Sequence, residues 1–198
     1  MILRHDWRVT EQGGASARTY LVSVLFAVVI GAVVLGLGSR GVMRLVGALA
    51  TPAHAGESTV AGNVVGRITV GGSLGLMVPG AFAGAIAGLL YLVVRQWLPR
   101  NAALRGLVFG ALLLGLLGFF VVDGNERDFA LAAPRLALVA FASLFVADGL
   151  VTALVVERVR PPLPSPRPTA VGSVILSGAI VTTLATLAVG ARDVWALG

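Results

Sequence analysis

Charged side chains are absent from residues 19–39, 68–94, 106–122 and 168–191, and across 136–156 the only one is Asp148. These five apolar runs, 17 to 27 residues long, are too continuous for helices that must show a polar face to water. Crossing a hydrocarbon core of about 30 Å takes roughly 20 helical residues. Unpaired backbone groups are costly in lipid, so only helices or closed barrels can span it, and the absence of period-two alternation argues against a barrel. The pattern therefore predicts an all-α fold, a polytopic membrane bundle of five transmembrane helices over about 20–50, 73–96, 103–122, 135–158 and 170–189.

Residues 1–19 form a polar leader at the membrane surface, with Gly13 and Gly14 as flexible points. Residues 20–198 make a single membrane domain. Helix one is long enough to overshoot the hydrocarbon, so it must tilt or set an arginine-bearing turn in the interface or against a partner. The leader and helix one imitate a secretory signal, and Ala53-His54-Ala55 has cleavage-site spacing, yet the apolar run is too long and Arg40 and Arg44 intervene. An outer loop spans 51–72, in which the segments around Gly62-Asn63 are spaced for a small hairpin. Tyr91 and Trp97 stand where an aromatic belt would lie, and Pro99 closes helix two. The prolines from Pro161 to Pro168 predict an extended inner strap over 161–168. Residues 92–99 (LVVRQWLP) parallel 154–161 (LVVERVRP) at the ends of helices two and four, a faint repeat that a duplicated two-helix hairpin or a chance likeness of two helix-end stop signals would equally explain.

Arginine placement sets the expected orientation, because basic residues at helix ends stay on the cytoplasmic side. With the N-terminus inside, nine of the 15 arginines and three acidic residues fall inside, against six and five outside. The expected topology is N-in, C-out.

Composition removes several chemistries. All 15 basic residues are arginine, so there is no lysine for a Schiff base or a phosphate loop. With no cysteine, no disulfide, thiolate metal site or iron–sulfur cluster can form. His5 and His54 both lie outside the expected helices, which leaves no intramembrane histidine site. The run Asp123-Gly124-Asn125-Glu126-Arg127-Asp128 puts arginine where a calcium loop needs a ligand. No catalytic residue, metal ligand or cofactor is expected, and the basic balance reads as topology, not nucleic-acid binding.

Two kinds of position remain. Small residues recur at four-residue spacing: Gly80, Gly84 and Gly88; Gly106 and Gly110; Gly178, Thr182 and Thr186. Such stripes let helix backbones approach closely in lipid, either within the bundle or on a partner. The polar candidates are Asp148, near the middle of helix four, and Arg40 and Arg44, four apart on one face of helix one. A lone intramembrane carboxyl is expected to be protonated, paired or open to water. Arg40 and Arg44 would snorkel to the outer interface, or Arg40 would pair with Asp148 if helix one sits deeper.

The stretch from Gly38 to Pro99, with Arg40, Met43-Arg44, Gly71-Gly72-Ser73-Leu74-Gly75 and Leu89-Leu90-Tyr91, resembles small multi-pass membrane proteins of high-GC Gram-positive bacteria. The resemblance covers about a third of the chain and implies a bacterial cytoplasmic (inner) membrane protein without an assigned activity. The expected role is a non-catalytic accessory or scaffolding subunit whose glycine faces pack against partner helices, cofactors or lipids. Its expected partners are the bilayer and other membrane subunits or a second copy. The alternative is a small transporter or substrate-binding component that uses Asp148 as a proton or solute site.

Overall fold

A computed structural model describes residues 7–49, 70–123 and 134–159, with residues 177, 178, 181, 185 and 188 beyond them. Every regular element among them is helical. Helix α1 (Trp7–Gly31) runs through a π-helical segment (Ala32–Leu37) into α2 (Gly38–Leu49), and the three form one unbroken rod. Then come α3 (Val70–Val94), α4 (Ala102–Asp123) and α5 (Pro134–Val159). Three spans, Ala17–Leu45, Val70–Val94 and Leu136–Val159, are long and apolar enough to cross a membrane, and Ala102–Gly118 is a shorter apolar helix.

The first helix differs most from expectation. It begins at Trp7, inside the stretch read as a leader, because Gly13 and Gly14 each cost a helix only about 1 kcal/mol and no proline stands nearby. Helix α3 starts three residues earlier than the expected 73 and ends two before the expected 96, with Pro79 inside it as the expected bounds also had it. The loop and hairpin over 51–69 and the strap over 161–168 lie outside the described residues, as does most of helix five.

Backbone proximity organises these rods into two antiparallel pairs. In the first, the rod from Trp7 to Leu49 crosses α3. A Cβ placed on Gly31 would stand 2.5 Å from the Gly84 Cα, one on Gly36 would stand 2.8 Å from the Met77 Cα, and one on Gly88 would stand 2.6 Å from the Ala27 Cβ. In the second, α4 crosses α5. A Cβ on Gly106 would stand 2.6 Å from the Leu150 Cα and one on Gly110 the same distance from the Val146 Cα, while Gly149 abuts Gly110 itself. Only glycine permits such an approach, and in lipid that closeness is what gives helices van der Waals contact to hold them together.

The π segment has a geometrical reason in the first pair. Residues five apart on an α-helix point about 140° away from each other, so Gly31 and Gly36 would face different neighbours. Bonds from i to i+5 widen the turn and bring residues five apart nearer to one face. Both glycines thereby reach α3.

The short turn between α3 and α4 is held locally. The Asn101 side chain accepts from the backbone N–H groups of Ala103 (3.0 Å) and Leu104 (3.1 Å), a cap for the start of α4. Asn101→Ala is expected to cost about 1 kcal/mol, read as a lower midpoint of thermal unfolding in detergent.

Polarity is arranged inside out. Val78 and Phe82 on α3 are 72% and 70% exposed, whereas Asp148, Thr152 and Ser23 are wholly buried. A soluble protein would hide the first group and wet the second. Exposed apolar faces on helices of this length fit surrounding hydrocarbon.

Candidate functional site

Asp148 and Thr152 lie four residues apart and so on one face of α5, with neither exposed. Neither carboxyl oxygen of Asp148 nor the Thr152 hydroxyl has a hydrogen-bond partner. Serines in the same helices behave otherwise. Ser23 donates to the Thr19 carbonyl (2.8 Å), Ser39 to Gly36 (2.7 Å) and Ser143 to Ala140 (2.7 Å), each on its own helix. A hydroxyl in a membrane helix can therefore satisfy itself on the preceding turn, and Thr152 does not.

The surroundings follow from the register. Gly149, next to Asp148, is clamped on the backbone of α4 at Gly110. One turn above Asp148, Leu144 fills the space over Gly38, where the nearest approach to an added Cβ would be 2.8 Å. Because α5 runs antiparallel to the first helix, descending from Leu144 to Asp148 means stepping back about 6 Å from Gly38 into the π segment. Helix α5 packs against that segment as well as α1 and α2. Asp148 thus sits in the seam where α5 meets the irregular turn.

The arginines divide. Arg44 is exposed, while Arg40 is 5% exposed and packed inside the bundle. Neighbouring helices enclose it, which the chain's linear pattern does not reveal. No hydrogen bond joins it to Asp148, so the Arg40–Asp148 pair is not formed. The glycines Gly80, Gly84, Gly88, Gly106 and Gly110 all lie within the two helix pairs. Gly178 is exposed and an added Cβ there would meet nothing within 4 Å; Thr182 and Thr186 fall outside the described residues.

A second polar cluster was not singled out in the sequence. Tyr91 on α3 donates to Glu157 on α5 (2.9 Å), and Arg105 on α4 pairs with the same carboxylate oxygen at 2.6 Å. The Arg105 Nε also donates to the Pro99 carbonyl (2.8 Å). Tyr91, expected in an aromatic belt, is instead fully buried, its ring edge-on to Phe109 with centroids 5.0 Å apart. Opposite charges at helix ends on the expected inner side, Arg105 opening one helix and Glu157 closing the next, were the available signal. For Thr152 it was the four-residue spacing from Asp148.

Chemically, neither cluster resembles a catalytic constellation. No group of three or more metal-ligating side chains occurs among the described residues. Compared with family models, curated proteins and solved structures, the chain matches none.

Proposed function

We propose that this chain is a non-catalytic accessory subunit of a bacterial cytoplasmic membrane, a bundle of five transmembrane helices, N-in and C-out, that docks a partner's transmembrane helix on the last of them, the expected helix over 170–189. The observation that carries the reading is where small residues are left uncovered. Gly31, Gly36, Gly80, Gly84, Gly88, Gly106, Gly110 and Gly149 are all closed by neighbouring atoms inside the two pairs. Besides Gly41 and the pair Gly71 and Gly75 at the start of α3, which are also open, the expected helix over 170–189 carries a longer exposed face among its described residues, Ser177, Gly178, Ala185 and Ala188 with Val181, at near-helical spacing. An uncovered small-residue face in lipid permits the same backbone approach that the internal glycines already make. A solute carrier would need a cavity beside Asp148, and nothing of water size touches that side chain in this packing.

Gly178→Leu tests the proposal. In mild-detergent extracts, the parent chain is expected to co-migrate with a partner or a second copy, and the variant to run as a folded monomer. Co-migration that survives the substitution, or a parent that is itself monomeric, would refute it. Mass spectrometry of the parent complex distinguishes a foreign subunit from a second copy.

A further inference from the structure

We propose that Asp148, with Thr152, is a proton-binding site in the bundle core, and that loss of the proton opens the seam between α5 and the π segment. Three states are open to a carboxyl at membrane depth: paired with a cation, bathed in water, or neutral. The first is not met, since neither oxygen has a hydrogen-bond partner. The second is not met, since the residue has no exposed surface. The neutral acid remains, and a proton is the one ligand that needs no cavity. Thr152 lies one turn away with its hydroxyl free to donate or accept.

The neighbouring elements supply little that would hold the bare carboxylate. The first helix has no charged residue between Arg18 and Arg40, and α4 has none between Arg105 and Asp123. On α3 the only titratable group is Tyr91, which is committed to Glu157. On α5 itself Glu157 is engaged with Arg105. Helix α2 brings Arg40, buried, and Arg44, exposed. A carboxylate left there would carry several kcal/mol of desolvation cost unless water entered or Arg40 moved to meet it.

Either response must displace side chains at the seam. The π segment is the place to yield, because its turns can revert to α-helical bonding by a shift of one residue without breaking the rod. This inference concerns the interior and does not depend on the face of helix five.

The chain has no cysteine, so a single thiol reports cleanly. Leu144→Cys, in the seam, is labelled with a water-soluble maleimide in proteoliposomes across pH, with and without Asp148→Asn. The ratio of the two rates removes the thiol's own pH dependence. It is expected to rise with pH, by up to about tenfold per unit while the site empties, as single-proton linkage requires. A ratio flat in pH would overturn the proposal. Infrared spectra of the otherwise unsubstituted protein cover the case in which a variant fails to fold: a protonated carboxyl band at neutral pH that fades on alkalinisation supports the site, and its absence at neutral pH excludes it.

Discussion

Gly84→Leu is expected to abolish the folded monomer in detergent, whereas Gly178→Leu leaves it intact. At Gly84, a new Cβ would collide with the Ala27 carbonyl, lie 2.9 Å from the Gly31 Cα and 3.1 Å from the Ala27 carbonyl carbon. All three are main-chain atoms, so no rotamer change relieves the overlap. Overpacking a core whose side chains can move costs about 1–3 kcal/mol. Here two helices must separate, and a loss above about 3 kcal/mol is expected, a large part of the roughly 5–15 kcal/mol that holds a typical protein folded. Even Gly84→Ala adds the offending atom, so it should share much of the defect. Size-exclusion profiles after graded heating measure the effect. A Gly84→Leu chain as heat-resistant as the parent would show that the first helix and α3 are not held by this crossing.

The contrast between these glycines marks how far the linear pattern reaches. Helix existence was legible, because a charge-free run longer than the hydrocarbon thickness has few other solutions. The four-residue glycine stripes on α3 and α4 were legible as packing faces for the same reason of spacing. Their complement on the first helix was not. Gly31 and Gly36 are five apart and come nearer to one face only because the π segment widens the turn, and nothing in the periodicity announces that. Asp148 stood out as a lone carboxyl, yet its lack of a partner depends on what faces it. Burial of Arg40 likewise depends on the neighbouring helices. The start at Trp7 is not legible in the pattern, because polarity ends a membrane span without ending a helix.

Pairing also gives the faint repeat a place. The segments 92–99 and 154–161 end the second helix of each antiparallel pair, although α3 stops at Val94, five residues before its proline, and α5 continues to Val159, two before its own. The corresponding positions Arg95 and Glu157 differ in their surroundings. Arg95 is 2% exposed, while Glu157 serves the polar cluster at that end of the bundle.

That cluster yields the second large effect. Tyr91 belongs to the first helix pair, Arg105 and Glu157 to the second, so one carboxylate oxygen joins the pairs. Glu157→Ala would leave the buried Tyr91 hydroxyl without its acceptor and Arg105, 12% exposed, without its counter-charge. Removing one partner from a fully buried ion pair costs about 3–5 kcal/mol. Because the Glu157 side chain is 28% exposed, water recovers part of this, and a loss of roughly 2–3 kcal/mol is expected. Glu157→Gln keeps an oxygen for both donors and should lose only about 1 kcal/mol. Tyr91→Phe removes a donor and leaves the Arg105 pair in place, again at about 1 kcal/mol. Partial burial also means that salt should screen the pair only weakly. Thermal midpoints of the three variants in one detergent, at low and high salt, test this order. Equal midpoints for Glu157→Ala and Glu157→Gln would mean that the oxygen does not bridge the pairs. The expected mode of failure is specific: each glycine-packed pair persists while α3 parts from α5, so a cross-link engineered between α4 and α5 forms as in the parent and one between α3 and α5 does not.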